Sequence, residues 1–129
     1  MSKLNNEVVT FLSKNDVWVL STCDVTPNAC PMYFKKIDKQ GNLVLFDVFM
    51  KKGLENLAKN NKVAVTVFNV WTLQGYQLKG TAAYSTDPVL VAEGNKQTRK
   101  MNLPTKGAVI VSVEEVFVQT PGPDVGKKL

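Results

Sequence analysis

The amino-acid sequence predicts a mainly β domain with short helices, in which six strands form a small closed barrel. Runs rich in β-branched and aromatic residues are separated by turn residues through the middle of the chain. These runs do not alternate regularly with helices, which disfavours a doubly wound nucleotide-binding fold. In a chain this short, closing the sheet into a barrel removes its edge strands.

The length of 129 residues fits one domain covering residues 1–129, since domains most often contain about 100 to 150 residues. The composition, 44% hydrophobic and 21% charged, is typical of a globular protein and excludes a wholly disordered one. No apolar run approaches the roughly 18 residues of a membrane helix. The first residues also lack the apolar core of a secretion signal. We therefore expect a cytoplasmic protein.

The first 14 residues predict an amphipathic helix that begins near Ser2 and ends around Lys14. Its apolar residues recur at helical spacing and would form one face: Leu4, Val8, Phe11 and Leu12. We expect this helix to dock on the domain.

Six β-rich segments follow the predicted helix. They cover residues 17–22, 29–37, 43–49, 62–70, 73–85 and 107–118. Turn residues around Pro27 and over residues 38–42 join the first three strands as successive hairpins. Gly75 and Gly80 interrupt the fifth strand and indicate a bulge or a close approach of another segment.

Two further helices and a tail complete the predicted elements. Residues 52–60 have the apolar spacing of a short helix. Another helix begins at Asp87-Pro88 and runs toward Asn102, although Gly94 is unfavourable in its interior. Residues 121–129 show no helical or strand period, so they form either a loose end or a lid.

The charged and reactive residues exclude several functions. The net charge of +5 suits nucleic acid, an anionic small molecule or simple solubility. Arg99 is the only arginine among 16 cationic residues, which disfavours base-edge readout of DNA. The absence of histidine removes the commonest metal ligand and the usual partner of a Ser or Cys nucleophile. Cys23 and Cys30 fit neither a CxxC pair nor a zinc motif, so we expect core or near-site residues.

The best candidate for an anion site is Lys51-Lys52-Gly53, at the start of the helix predicted over residues 52–60. Free backbone N–H groups and the helix dipole favour an anion there, and two ammonium groups would reinforce the attraction. The common phosphate-binding loops GxGxxG and GxxxxGK[ST] do not occur. A solvated lysine pair is the alternative interpretation.

Four segments form a joint pattern: DVWVLST at 16–22, TPNACPMYF at 26–34, NLVLFDVFMKKGLENLAKNNKVAVTV at 42–67 and LKGTAAY at 78–84. The second holds a Pro-x-x-x-Pro strand, and the third a lysine that opens a helix with an Asn-Leu pair. This pattern resembles the FMN-binding split barrels, which include the pyridoxamine phosphate oxidase-like proteins. The resemblance runs from about residue 10 to the end. It implies a six-stranded split β-barrel and a homodimer with FMN at the subunit interface.

The resemblance also implies roles for particular residues. Lys52 would bind the FMN phosphate with Lys51 beside it, and Asn56 would support that part of the helix. One wall of the ring site would be formed by Val48, Phe49 and Met50, partly through their main chain. The opposite wall would be formed by Pro31, Met32 and Tyr33. Gln74 and Tyr76 would lie where the partner subunit approaches, and the tail at 121–129 would fold over a flavin edge.

The chain departs from the family pattern at the helix that follows the third strand. Gly53 stands where many members have Ser or Thr, and Lys51 stands where many have Arg or His. True pyridoxamine phosphate oxidases bring Arg and His to the substrate phosphate. This chain has one arginine and no histidine, so we do not expect that activity.

The function implied is an FMN-dependent oxidoreductase that exchanges electrons or a hydride through flavin N5, with NAD(P)H or a protein as donor. A non-catalytic flavin carrier or electron-transfer module is the first alternative. A basic β-barrel that binds single-stranded nucleic acid is the second. A deazaflavin in place of FMN also remains open.

Four other residues have predicted environments. Trp18 and Phe46 lie within strand patterns and are expected in the core. Trp71, just beyond a strand, would either cap a flavin or fill a dimer interface. Asp47 interrupts an apolar strand, so it either faces water or lies near the flavin, where its charge would affect the reduction potential.

Overall fold

The computed structural model describes residues 4–129, and the strands it describes form one curled antiparallel sheet. The sheet has seven strands in the order β2-β1-β5-β6-β7-β4-β3. The strands are β1 Trp18–Cys23, β2 Pro27–Met32, β3 Lys35–Ile37, β4 Leu43–Asp47, β5 Lys62–Phe68, β6 Gly75–Ser85 and β7 Gly107–Val118. The helices are α1 Asn6–Lys14, α2 Lys52–Leu57 and α3 Pro88–Thr98, which a 3₁₀ turn at Arg99–Met101 extends.

The prediction of six strands is wrong by one, because the segment predicted as a single strand over 29–37 divides at Tyr33 and Phe34. Its first part, β2, pairs with β1, and its second part, β3, pairs with β4. β2 and β3 lie at opposite edges of the sheet. One strand cannot lie at both edges without a break. Because its two halves pair with different strands, the segment forms two strands and the sheet has seven.

The short connection between β2 and β3 explains why the sheet curls. Three peptide units separate Met32 from Lys35, so their Cα atoms lie at most about 11 Å apart. A flat sheet of seven strands would be about 29 Å wide, at roughly 4.8 Å per strand. The two edges therefore meet at this connection, where the Phe46 amide donates to the Phe34 carbonyl at 2.9 Å. This closure is the split barrel that the sequence predicts.

Helix α1 docks on the sheet as expected. The Asn5 side chain caps the helix by accepting from the Val8 amide at 2.8 Å. The predicted start near Ser2 lies outside the described residues, and within them the helix begins at Asn6. The helix buries Val8, Phe11 and Leu12.

Both aromatic residues expected in the core are buried. Trp18 and Phe46 are each 2% exposed. The Trp18 indole also donates to the Leu12 carbonyl at 3.2 Å and to the Asn15 carbonyl at 3.0 Å, which fixes the end of α1 against β1.

Two glycines allow close packing of neighbouring segments. The register of β6 against β7 shifts between Lys79 and Gly80, so the bulge predicted in this strand is present. A Cβ at Gly80 would overlap the Ser112 carbonyl of β7. Gly94 lies in α3, where a Cβ would come within 2.8 Å of the Phe46 ring, and this close approach explains a glycine inside a helix.

The C-terminal tail is not a loose end, because it pairs with β7. It turns at Gly122 and Gly126, which have positive φ values of 141° and 84°. The Leu129 amide then donates to the Val116 carbonyl at 2.9 Å, so the tail returns along the side of β7 that β4 leaves free.

Candidate functional site

A small cavity lies where the two edges of the sheet meet. It encloses about 140 Å³. Its lining includes all six residues expected on the two walls of a ring site: Pro31, Met32, Tyr33, Val48, Phe49 and Met50. The chain therefore brings together two segments that are 15 residues or more apart in sequence.

Three further residues line this cavity. Cys30 was expected in the core or near the site, whereas the sequence did not assign Phe34 or Phe46 to the site. Cys30 alternates with Met32 along β2, so a period of two could have placed it on the same face. Burial raises the pKa of the Cys30 thiol, and the negative charge of Asp47 raises it further. Phe34 and Phe46 reach the cavity because their backbones pair at the closing point.

The rim of the cavity is apolar and open to solvent. The Phe49 side chain is 70% exposed and that of Tyr33 is 57% exposed. Lys35 orders Tyr33, because its ammonium group lies 5.2 Å from the centroid of the Tyr33 ring and donates to the Tyr33 carbonyl at 2.7 Å. Small-molecule sites usually enclose roughly 300–1,000 Å³, so this chain alone supplies only part of a site of that size.

The cationic residues follow the cavity wall directly in the chain. Lys51 and Lys52 are exposed at the start of α2, and Lys52 Nζ lies 3.5 Å from the Glu55 carboxylate. Lys106, which the sequence analysis did not consider, adds a third cation, whose Nζ donates to the Met50 carbonyl at 3.4 Å. The Asn56 amide donates to Thr22 Oγ1 at 3.1 Å and to the Thr26 carbonyl at 3.2 Å. Asn56 therefore joins α2 to β1 and its turn.

Gln74 and Tyr76 do not lie at this cavity within the chain. They line a separate groove between the tail and the segment that precedes α1. Gln74 donates to the Tyr76 hydroxyl at 3.2 Å, and that hydroxyl donates to the Glu7 carboxylate at 3.3 Å. The Tyr76 ring is buried edge-on against Phe11.

Asp47 does not face water, so the first of the two environments predicted for it is wrong. Its side chain is completely buried at the end of β4. Oδ1 accepts from the Met50 amide at 2.8 Å, and Oδ2 accepts from the Tyr84 hydroxyl at 2.6 Å. Asp47 is buried because the turn that follows β4 folds back over its carboxylate.

A family model described as pyridoxamine 5'-phosphate oxidase matches residues 4–120. The chain belongs to this family of FMN-binding split barrels. An uncharacterized protein of Methanocaldococcus jannaschii is 36% identical to it, over 97% of this chain and 87% of that protein.

Solved structures share the split-barrel fold at low identity. Group A Streptococcus HupZ matches with a TM-score of 0.80 and 19% identity, over 95% of this chain and 99% of that one. An FMN-binding protein from Syntrophomonas wolfei matches with a TM-score of 0.75 and 14% identity, over 85% and 82%. A structure named F420 reductase has a TM-score of 0.69 and 16% identity, over 88% and 98%.

Gly53, one departure of this split barrel from the family pattern, is buried at the start of α2. A Cβ there would lie 3.0 Å from Met50 Cε, the flexible end of a side chain in the cavity wall, so a Ser or Thr would require that methyl group to shift by a few tenths of an ångström. Glycine leaves only its backbone N–H to offer to an anion.

No group of three or more Cys, Asp or Glu side chains within residues 4–129 could hold a metal ion. No helix in the same range is long and apolar enough to cross a membrane.

Proposed function

We propose that this split barrel binds FMN and acts as an oxidoreductase on a substrate other than pyridoxamine phosphate. The observation that carries the proposal is one cavity that collects the six expected ring-contact residues, the last of which, Met50, is followed directly in the chain by Lys51 and Lys52. Flavin binding is the property that the family and this cavity support together.

The residues present fit the chemical parts of FMN. The cavity offers flat apolar contact from Pro31, Tyr33 and Phe49, together with two methionine side chains, which suits a large aromatic ring. A phosphate dianion needs cations and N–H donors, which Lys51, Lys52 and the Gly53 amide would supply. Asn56 would keep α2 in place against β1 while the phosphate binds.

We also propose that the functional unit is a homodimer of single-domain chains covering residues 1–129. Members of this family are often dimeric. The half-open cavity and the exposed Tyr33 and Phe49 need a cover, and a second copy would supply it. In that arrangement Gln74, Tyr76 and the tail would approach the flavin of the partner subunit.

The chain's own residues need only bind, orient and shield the cofactor. Bound FMN supplies the redox chemistry, so the absence of histidine from the chain is no obstacle. NAD(P)H or a protein would donate electrons, and we expect this exchange to take place in the cytoplasm. A carrier without turnover is the alternative that shares every structural requirement, whereas we expect no binding of nucleic acid.

The first experiment is the visible absorption spectrum of the purified protein, followed by release and chromatography of any chromophore. We expect a yellow protein that releases FMN. The apoprotein should then bind FMN more tightly than riboflavin, because riboflavin lacks the phosphate, and a deazaflavin mononucleotide tests the alternative cofactor. A protein that binds none of the three would contradict the proposal.

A second measurement separates an oxidoreductase from a carrier. NADH and NADPH are added to the flavin-loaded protein, and bleaching of the flavin is followed under anaerobic conditions with and without an electron acceptor. Sustained consumption of the nicotinamide with the acceptor supports an oxidoreductase. Absence of bleaching by either nucleotide and by a reduced protein donor favours the carrier.

A further inference from the structure

The Asp47 carboxylate connects the cavity wall to the core. Oδ1 accepts the Met50 amide hydrogen at 2.8 Å, so the carboxylate closes a turn over Val48 and Phe49. The Asp47 carbonyl accepts from the Lys106 amide at 2.8 Å, and Lys106 Nζ donates to the Met50 carbonyl at 3.4 Å. Both ends of the turn are therefore attached to the start of β7.

Tyr84 completes the environment of the carboxylate from β6. Its hydroxyl donates to Asp47 Oδ2 at 2.6 Å. The ring fits there because residue 107 is glycine, whose absent Cβ would otherwise lie 2.6 Å from Tyr84 Cζ. Burial raises the pKa of the Tyr84 phenol, and the hydrogen bond and the charge of Asp47 raise it further. Tyr84 thus remains a proton donor to the carboxylate at neutral pH.

Hydrogen bonds, rather than a cation, stabilise the Asp47 carboxylate. None of the four ion pairs among the described residues involves Asp47. A buried charge that is not paired with a cation acts strongly on its surroundings, because the protein interior screens it weakly. The influence reaches the cavity, since the Asp47 charge contributes to raising the pKa of the lining residue Cys30.

Two-electron reduction of a flavin takes up two electrons and, at neutral pH, can take up a single proton, so the ring gains one negative charge. A buried carboxylate beside the cavity wall repels that added charge, whereas it affects the neutral oxidised ring less. The difference between the two free energies of binding shifts the reduction potential of the bound flavin.

We propose that Asp47 is a positioning residue which, together with Tyr84, fixes the Val48–Met50 wall, and whose charge makes the site bind oxidised flavin more tightly than reduced flavin. This inference rests on the proposed function, because it needs a flavin in the cavity. The Asp47 carboxylate would then be the buried charge that shifts the equilibrium between oxidised and reduced flavin toward the oxidised form.

Asp47→Asn tests the charge, because asparagine keeps an oxygen for the Met50 amide and has nearly the same shape. FMN affinity is measured by fluorescence titration, and the reduction potential by anaerobic titration with dithionite and a reference dye. We expect the ratio of the dissociation constants for oxidised and reduced FMN to rise about tenfold, equal to roughly 30 mV for a two-electron couple. Asp38→Asn, at the far end of β4, is the matched control and should leave the ratio unchanged.

Tyr84→Phe provides a second test if Asp47→Asn does not fold. This variant keeps the charge of Asp47 and removes one hydrogen bond to it, so the reduction potential should not rise. Weaker binding of oxidised FMN is expected, because the wall is less firmly held. A rise in potential in this variant, or an unchanged potential in a folded Asp47→Asn variant, would overturn the proposal.

A measurement on the apoprotein separates failure of this inference from failure of the proposed function. The phenol of Tyr84 is titrated by NMR in the wild type and in Asp47→Asn. Its pKa should be well above the ordinary value in the wild type and should fall in the variant. If the apoprotein shows this change but no flavin binds, flavin binding is wrong and the Asp47–Tyr84 contact stands. If the titration is the same in both proteins, the contact itself is contradicted.

Discussion

Lys52 and Glu55 form an ion pair on the exposed face of α2, with 3.5 Å between Nζ and Oε2. Their side chains are 78% and 65% exposed, so solvent screens the attraction and holding the pair together stabilises the fold little. Lys52 can therefore leave Glu55 and turn toward an anion at small cost. The same geometry places a carboxylate close to the expected phosphate position.

Replacing Lys52 by alanine should weaken FMN binding by about 1.5–3 kcal/mol, the usual range for hydrogen bonds to charged groups. Fluorescence titration of the apoprotein measures this change. Lys39→Ala is the matched control, because Lys39 is an exposed lysine in the turn at the opposite end of β4. Equal affinities for FMN in the two variants would show that Lys52 does not bind the phosphate.

Replacing Glu55 by glutamine should tighten FMN binding, because it removes a negative charge near the phosphate and frees Lys52. An exposed pair of this kind contributes about 0.2–1 kcal/mol, so we expect an increase in affinity of no more than about fivefold. Riboflavin is the control ligand, since it carries no phosphate and its affinity should not change. Weaker FMN binding would indicate that Glu55 supports the site instead.

Alkylation of the two cysteines tests whether FMN occupies the cavity. Cys23 is exposed, whereas Cys30 is partly buried in the lining and its thiol pKa lies above the ordinary value. At pH 8 iodoacetamide should therefore modify Cys23 first, and the rate at Cys30 should increase with pH until the thiol has ionised. FMN should slow modification of Cys30 and not of Cys23, as measured by mass spectrometry. Equal protection of both thiols would contradict binding at this cavity.

Trp71 offers a test of the proposed dimer. It lies in a loop between β5 and β6 with its side chain 90% exposed, and the Asn69 side chain accepts from its amide at 2.9 Å. Tryptophan is enriched among the hot spots of interfaces, where loss of the side chain costs about 2 kcal/mol or more. Trp71→Ala should therefore raise the dimer dissociation constant about 30-fold or more by sedimentation equilibrium.

Met101→Ala is the matched control for the dimer experiment, because Met101 is 62% exposed in the 3₁₀ turn that follows α3. It should leave the dimer unchanged. A Trp71 variant that dissociates no more readily than the Met101 variant would place the interface elsewhere.

Most elements of the fold can be predicted from local patterns. The amphipathic spacing of α1, the turn at residues 38–42 and the alternation in β5 depend on neighbouring residues, and each is present in the structure. The break at Tyr33 and Phe34 could not be predicted in this way. Both sides of the break are compatible with a strand, and only pairing with distant partners separates them.

The candidate site also combines residues that local patterns predict with contacts that depend on distant segments. Resemblance of the motifs was enough to select Pro31–Tyr33 and Val48–Met50, which the structure brings to one cavity. The burial of Asp47 was not predictable, because an acidic residue in a strand is usually solvated. Its acceptance of hydrogen bonds from Met50 and Tyr84 depends on a turn and on a strand 37 residues away.

Residue types and local spacing were sufficient to predict the family, the mainly β character and the two segments that form the cavity wall. Contacts between distant segments were needed to establish the seventh strand, the pairing of the tail with β7 and the buried contact between Asp47 and Tyr84. Each of these joins segments that are far apart in the chain. Long-range pairing satisfies backbone and side-chain hydrogen bonds only after the barrel has closed, so no local pattern encodes it.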